Sequence, residues 1–179
     1  MKNSILFIFG LMIITLGFSC QPNDSKNSKK PGEKDIKEAL LRVNKQLVES
    51  EDEKIEDFIN RYKWNMNKTG TGLRYWIYEH GKGKKAENNK VAKYNYSIKL
   101  LTGDVIYTSE KSGPKEFLIG WGGVESGIEE GILLLCVGDR AKFIVPSHLA
   151  FGLQGDRNKI PAKASLVYDI ELLEINNKN

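Results

Sequence analysis

Cysteine and histidine are almost missing from this 179-residue chain, which has two of each. A disulfide framework is therefore excluded. The positions of Cys20, at the end of an apolar leader, and Cys136, deep in the C-terminal half, argue against even a single bridge. His80 and His148 are too few for a metal centre, so neither a metal nor a cofactor is expected. Proline is scarce too, 5 against 17 glycines, which excludes a Pro-rich disordered chain and favours short strands joined by turns. The formal net charge is only +4, and Lys82, Lys84 and Lys85 lie in a glycine-punctuated stretch without interleaved aromatics, so nucleic acid is not an expected partner. With 40% hydrophobic and 28% charged residues, the chain has room for one compact domain.

The apolar run from Ile5 to Leu16 follows the single cation Lys2 and is shorter than the roughly 20 residues a spanning helix needs. Residues 1–19 therefore read as a cleaved export signal. Leu16, Gly17, Phe18 and Ser19 before Cys20 resemble a bacterial lipoprotein signal, which implies lipidation of Cys20 and a membrane partner through that lipid. The alternative is a soluble periplasmic product with a free thiol. Gln21, rather than Asp, resembles the pattern of lipoproteins released to the outer membrane, so the expected location is the cell envelope, facing the periplasm. Residues 20–32 are too polar to offset their ordering entropy and are expected to be a lipid-anchored flexible tether.

Residues 33–66 read as a helical segment. Ile36, Leu40, Val43 and Leu47 share a helical face, predicting a first helix. Ser50 with Glu53 matches a capping box and predicts the start of a second helix, with Glu51 and Asp52 in its first turn, Ile55, Phe58, Ile59 and Tyr62 on its apolar face, and Trp64 and Met66 closing it. These stripes are expected to pack on the protein's own domain, with pairing of two subunits as the sharper alternative.

Residues 71–176 read as an α+β domain. Period-two patterns predict strands around 73–78, 91–100, 105–107, 116–119, 141–145 and 166–175. In the last of these, Leu166, Tyr168 and Ile170 face one way, and Val167, Asp169 and Glu171 the other. Between Val124 and Leu135, Ile128, Ile132 and Leu135 keep helical spacing, with Ser126 and Glu129 placed as cap. The prediction is an antiparallel sheet wrapped around one short helix.

Within this pattern, Tyr96, Leu101-Thr102-Gly103, Phe117-Leu118-Ile119-Gly120, Val124 to Gly131, Val137 to Ala141, Ile144 to Gly152, Ile160-Pro161 and Leu166 to Leu173 follow in an order that resembles the FK506-binding type of peptidyl-prolyl isomerase. The resemblance implies catalytic positions at Tyr96, Tyr107 and Phe151. It implies substrate contacts at Ile106, Phe117, Val124, Ile128, Ile160 and Tyr168, and a backbone donor at Glu125. It further implies proline-containing polypeptides of the envelope as partners, and N-terminal helices that pair two subunits. The layout of signal, lipid Cys, helices and isomerase domain is similar to lipoproteins associated with gliding motility in Bacteroidetes. This chain departs from the family at three places. Tyr107 stands where an Asp is usual, Ile128 replaces a tryptophan, and Phe151 lacks a tyrosine hydroxyl. A proline-binding chaperone or scaffold with little turnover is therefore the alternative function. Gly120-Trp121-Gly122-Gly123 does not complete a dinucleotide fingerprint, and Cys136 and His148 sit in no nucleophile motif.

Overall fold

A computed structural model describes residues 32–178, so the expected signal, Cys20 and all but the last tether residue lie outside the described residues. Packing divides the chain into two units at Glu38. The described part of the first unit is the opening turn of a helix, where the Gly32 N–H donates to Asp35 Oδ2 at 3.1 Å and the Gly32 carbonyl accepts from Ile36 at 3.1 Å.

That helix, α1, runs unbroken over Glu33–Tyr62, where the sequence predicted two. The apparent capping box falls in mid-helix, where backbone N–H groups already bond to carbonyls four residues back and have no need of a side-chain acceptor. The acids there serve tertiary partners instead. Glu51 accepts from Ser147 N–H, Ser147 Oγ and Ser165 Oγ at 2.6, 2.9 and 2.5 Å. Asp52 and Glu56 both pair with the guanidinium of Arg74, a side chain only 1% exposed. The helix ends at Lys63, whose φ of 54° is left-handed, and the Trp64 N–H returns to the Ile59 carbonyl at 3.2 Å. Only the second half of α1 buries its stripe. Ile55, Phe58 and Ile59 are buried, whereas Leu40, Val43 and Leu47 are 59%, 51% and 41% exposed, against the expectation that both stripes pack on the domain.

Seven antiparallel strands follow: β1 (Asn67–Lys68), β2 (Arg74–Glu79), β3 (Lys90–Leu100), β4 (Val105–Thr108), β5 (Lys115–Leu118), β6 (Arg140–Val145) and β7 (Leu166–Asn177). They are ordered β1-β2-β6-β7-β3-β4, with β5 also pairing β3. Two short helices, α2 (Ser109–Ser112) and α3 (Ser126–Ile132), and a single 3₁₀ turn at Ser147–Leu149 complete the fold. The sequence pattern did not reveal β1 or α2, which are too short to carry a period.

The predicted alternation of β7 divides the core between the two faces of the sheet. Leu166, Tyr168, Ile170 and Leu172 join an inner cluster with Tyr94, Ile98, Phe143 and α3. Val167 joins Ile144, Ile55, Phe58 and Ile59 on the outer face. Glycine lets α3 approach the sheet closely, since a Cβ on Gly131 would sit 3.0 Å from the Phe143 ring and one on Gly127 would meet the Val145 side chain at 2.5 Å. The predicted cap of α3 is absent. Glu125 occupies the cap position, Ser126 Oγ donates to the Leu149 carbonyl at 3.3 Å, and Glu129 turns to a glycine loop.

Candidate functional site

The residues singled out from the sequence come together at the inner side of the sheet around α3. Tyr96 on β3, Phe117 on β5, Ile128 on α3, Tyr168 on β7 and Ile160 in the loop before β7 are buried members of the inner cluster. Ile106 and Tyr107 on β4, with Val124 and Phe151 on loops, are half-buried and pack against it. Tyr94, which the sequence reading did not single out for the site, stands edge-on to Phe117 with ring centroids 6.0 Å apart, and Tyr96 lies 6.0 Å from Tyr94. The side chains are apolar or aromatic, with hydroxyls at intervals. Side chains of this make-up are able to receive a small apolar ring and offer it a few hydrogen bonds.

Glu125, at the start of α3, adds a backbone donor. Its carbonyl accepts from the N–H groups of Ile128 and Glu129 at 2.9 and 3.1 Å, while its own N–H bonds to no protein acceptor among the described residues. The loop before it is stabilised from within. Gly120 (φ 88°) and Gly122 (φ 76°) occupy left-handed backbone, and both N–H groups donate to Glu129 Oε1, at 2.8 and 3.0 Å. A carboxylate thus already fills the place a phosphate would take in a nucleotide-binding glycine loop.

Tyr107 has a partner that the sequence did not disclose. Its hydroxyl donates to Asp156 Oδ2 in a short hydrogen bond and accepts from Asn158 Nδ2 at 3.3 Å. The other oxygen, Asp156 Oδ1, accepts from the N–H groups of Asn158 and Ile160 at 2.9 and 2.7 Å. One carboxylate therefore ties a tight loop to itself and to β4, and that loop carries Ile160. The hydrogen bond to Asp156, with some desolvation, raises the Tyr107 phenol above its ordinary value. Burial alone would raise the Asp156 carboxyl, but the bonds from Tyr107, Ile160 and Asn158 outweigh it and leave the acid below the usual range. Lys159 Nζ lies 5.6 Å from the Tyr107 ring centre, and Lys115 Nζ lies 5.0 Å from that of Tyr96, so two cations flank the aromatic rim.

Tyr168 is the most enclosed phenol of the set, 1% exposed. Burial first, and the nearby Glu125 carboxylate second, push its titration far above the ordinary value, so it stays protonated. The carboxylate beside the hydroxyl acts on it both as a charge and as a hydrogen-bond acceptor.

Asp156, Lys115 and Lys159 were missed because polar residues in a glycine-rich loop or at a strand end read as ordinary surface. The usable signal was a pairing: a tyrosine in place of an acid at 107, with an acid 49 positions on. A separate groove of about 530 Å³ runs along α1 beside the 161–165 segment, lined in part by Leu47, Val48, Leu101, Leu153 and Ala164.

Residues 82–173 match the family model described as FKBP-type peptidyl-prolyl cis-trans isomerase. "FK506-binding protein 2" of Dictyostelium discoideum is 41% identical over 93 residues, spanning 51% of this chain and 70% of that protein. The "FKBP-type peptidyl-prolyl cis-trans isomerase FkpA" of Aeromonas hydrophila is 35% identical over 137 residues, covering 75% of this chain, which spans 50% of that relative's length. Among solved structures, that of FkpA from Escherichia coli superposes with a TM-score of 0.63 at 26% identity, covering 83% of this chain and 75% of the other. AtFKBP13 gives a TM-score of 0.60 at 29% identity, covering 62% of this chain and 98% of its own.

Proposed function

The chain belongs to the FKBP-type peptidyl-prolyl cis-trans isomerases, and from that premise we propose that it rotates X-Pro bonds of exported or envelope proteins in an apolar pocket formed by the gathered residues. The barrier to this rotation is about 18–20 kcal/mol and arises from amide resonance, so no nucleophile or metal is needed. A site that excludes water disfavours the charge-separated planar form, and contacts better matched to the twisted amide lower the barrier. In this reading Ile128, Phe117, Tyr168 and Ile160 receive the proline ring, Ile106, Val124 and Phe151 close around it, and the Glu125 N–H donates to a substrate carbonyl. The observation that carries the proposal is the convergence of these side chains around α3, with an unbonded backbone donor at its first turn. The test is isomerisation of Leu-Pro and Phe-Pro peptides by the purified protein, run beside a refolding-protection assay. Rates indistinguishable from buffer, together with protection from aggregation, would replace the enzyme in this reading with a proline-binding chaperone. The departures at Tyr107, Ile128 and Phe151 favour that second reading.

The cell-envelope setting is part of the proposal. It rests on the apolar leader and the Cys20 context, and palmitate labelling undiminished in Cys20→Ser would remove its basis. A role in gliding is one form of it, and a deletion strain that glides normally would argue against that form. Pairing of two copies through α1 rests on the exposed Leu40, Val43 and Leu47. Light scattering that finds a monomer at micromolar concentration would exclude it.

A further inference from the structure

A basic surface forms where the start of β3 meets the end of β7. Lys84, Lys85 and Lys90 line a hollow of about 470 Å³ there, together with Asn176 and Asn177. Lys90 Nζ donates to Asn177 Oδ1 at 2.7 Å, and Lys178 follows Asn177 in the chain. None of these four lysines forms an ion pair among the described residues. The carboxylates at hand are Glu87, which lines the same hollow, and Glu174, which accepts from Asn176 Nδ2 at 3.0 Å. Positive charge is left in excess.

No aromatic interleaves these lysines in the sequence, but the fold sets one beside them. Trp121 stands on the glycine loop and is 69% exposed. Its ring is held in place, since Nε1 donates to Asn89 Oδ1 at 2.9 Å and Lys178 Nζ lies 5.1 Å from the ring centre. The Asn89 N–H donates to the Ile119 carbonyl at 3.0 Å, which ties the loop to the segment leading into Lys90. An indole left mostly in water on a fixed loop, beside unpaired cations, suits the surface of a bilayer. There the indole settles at headgroup level and the ammonium groups meet anionic lipid.

We propose that this patch docks the folded domain on an anionic bilayer, with Trp121 at headgroup level and Lys84, Lys85, Lys90 and Lys178 against lipid phosphates. A small anion would use the lysines but has no use for the exposed indole. A single-stranded nucleic acid would want a series of aromatics on which successive bases stack, and the patch has one. The contact needs neither a lipid on Cys20 nor turnover of a peptide. Residues 120–123 lead directly into Val124 and Glu125, so docking sets the proposed pocket beside the membrane surface.

The test is vesicle binding by the full chain, with Cys20→Ser as the common background so that no acyl chain contributes. The quantity read is the ratio of Kd on phosphatidylcholine vesicles to Kd on vesicles that also contain phosphatidylglycerol, in which any binding by the apolar leader cancels. The parent should prefer the anionic vesicles, and the preference should shrink as salt is added. Each lysine removed should cost about fivefold, so Lys84→Gln with Lys85→Gln and Lys178→Gln should cost roughly a hundredfold. The melting temperature of that triple variant should match the parent's, because the three side chains are exposed. Lipid brominated in its acyl chains should quench tryptophan fluorescence in the parent, and Trp121→Ser, which keeps Trp64 and Trp76, should lose the quenching. A parent that binds both vesicle types equally or not at all overturns the proposal, as does a triple variant within twofold of the parent. Quenching that survives in Trp121→Ser overturns it too, since another surface would then meet the bilayer. An RNA oligonucleotide that displaces the parent from anionic vesicles, and that the triple variant no longer binds, would assign the patch to nucleic acid instead.

Discussion

The two faces of the sheet are held by different forces. The inner face packs α3 chiefly through close apolar contact, fully buried Phe143 against Gly131 and Val145 against Gly127. The outer face packs α1 with few apolar residues, Ile55, Phe58 and Ile59 on Ile144 and Val167, and adds a polar lattice of Glu51, Asp52, Glu56 and Arg74. Shape therefore specifies the side that carries the candidate site, and charge pairing positions the helix on the other. Three changes test whether the two faces are as independent as this division implies.

Phe143→Ala should have the largest effect. It empties a fully buried ring position against α3 and is expected to remove about 3–5 kcal/mol of stability in denaturant unfolding. Loss of peptide affinity should accompany it, because α3 carries Glu125 and Ile128.

The double change Asp52→Asn with Glu56→Gln strips the buried Arg74 of both carboxylates. The expected destabilisation is about 3 kcal/mol, the consequence of an uncompensated buried charge. Peptide affinity should stay within about twofold of the parent under native conditions, since a distant, independent site does not couple. A matching fall in affinity would show that the faces are coupled. Acid offers a milder form of the same change. Partial burial pulls the Asp52 carboxyl up, but hydrogen bonds and charge from Arg74 and Lys68 outweigh it and hold it below its ordinary 3.8. The stability from this pair is therefore present in full above that ordinary value and drains away as pH falls through the lower folded value. A parent protein whose acid unfolding matches that of the double variant would contradict this account.

Tyr107→Phe should have the smallest effect on stability, with little change in melting temperature. It frees one arm of Asp156, so limited proteolysis within residues 152–161 should become several-fold faster. Unchanged cleavage would mean that the bonds from Asn158 and Ile160 hold the loop without β4.

The inner face was the legible one. Period-two patterns and apolar spacing report burial directly, so the longer strands and α3 could be placed from the sequence. The outer face was not, because acids read in isolation suit a helix start as well as a tertiary partner. Ser50 to Glu53 satisfied the capping pattern while the chain ran on as helix, and nothing local distinguishes an Asp52 that meets Arg74 from one that meets solvent. Ser126 failed for the same reason, its hydroxyl going to Leu149. The Tyr107–Asp156 bond spans 49 positions and has no periodic signature.

β7 lies in the middle of the sheet, with β6 on one side and β3 on the other. Clipping the chain before Leu166 would therefore not trim an edge. It would leave β1-β2-β6 and β3-β4-β5 as two fragments, each with a bare row of backbone donors and acceptors where β7 had been. Tyr94 pairs with Leu172, and Leu100 with Leu166, so the two sides join only through contacts distant in sequence. Since Tyr168 sits on that joining strand, the residues of the proposed pocket come together only once β7 is in place. Binding of a prolyl peptide would then report completion of the whole fold.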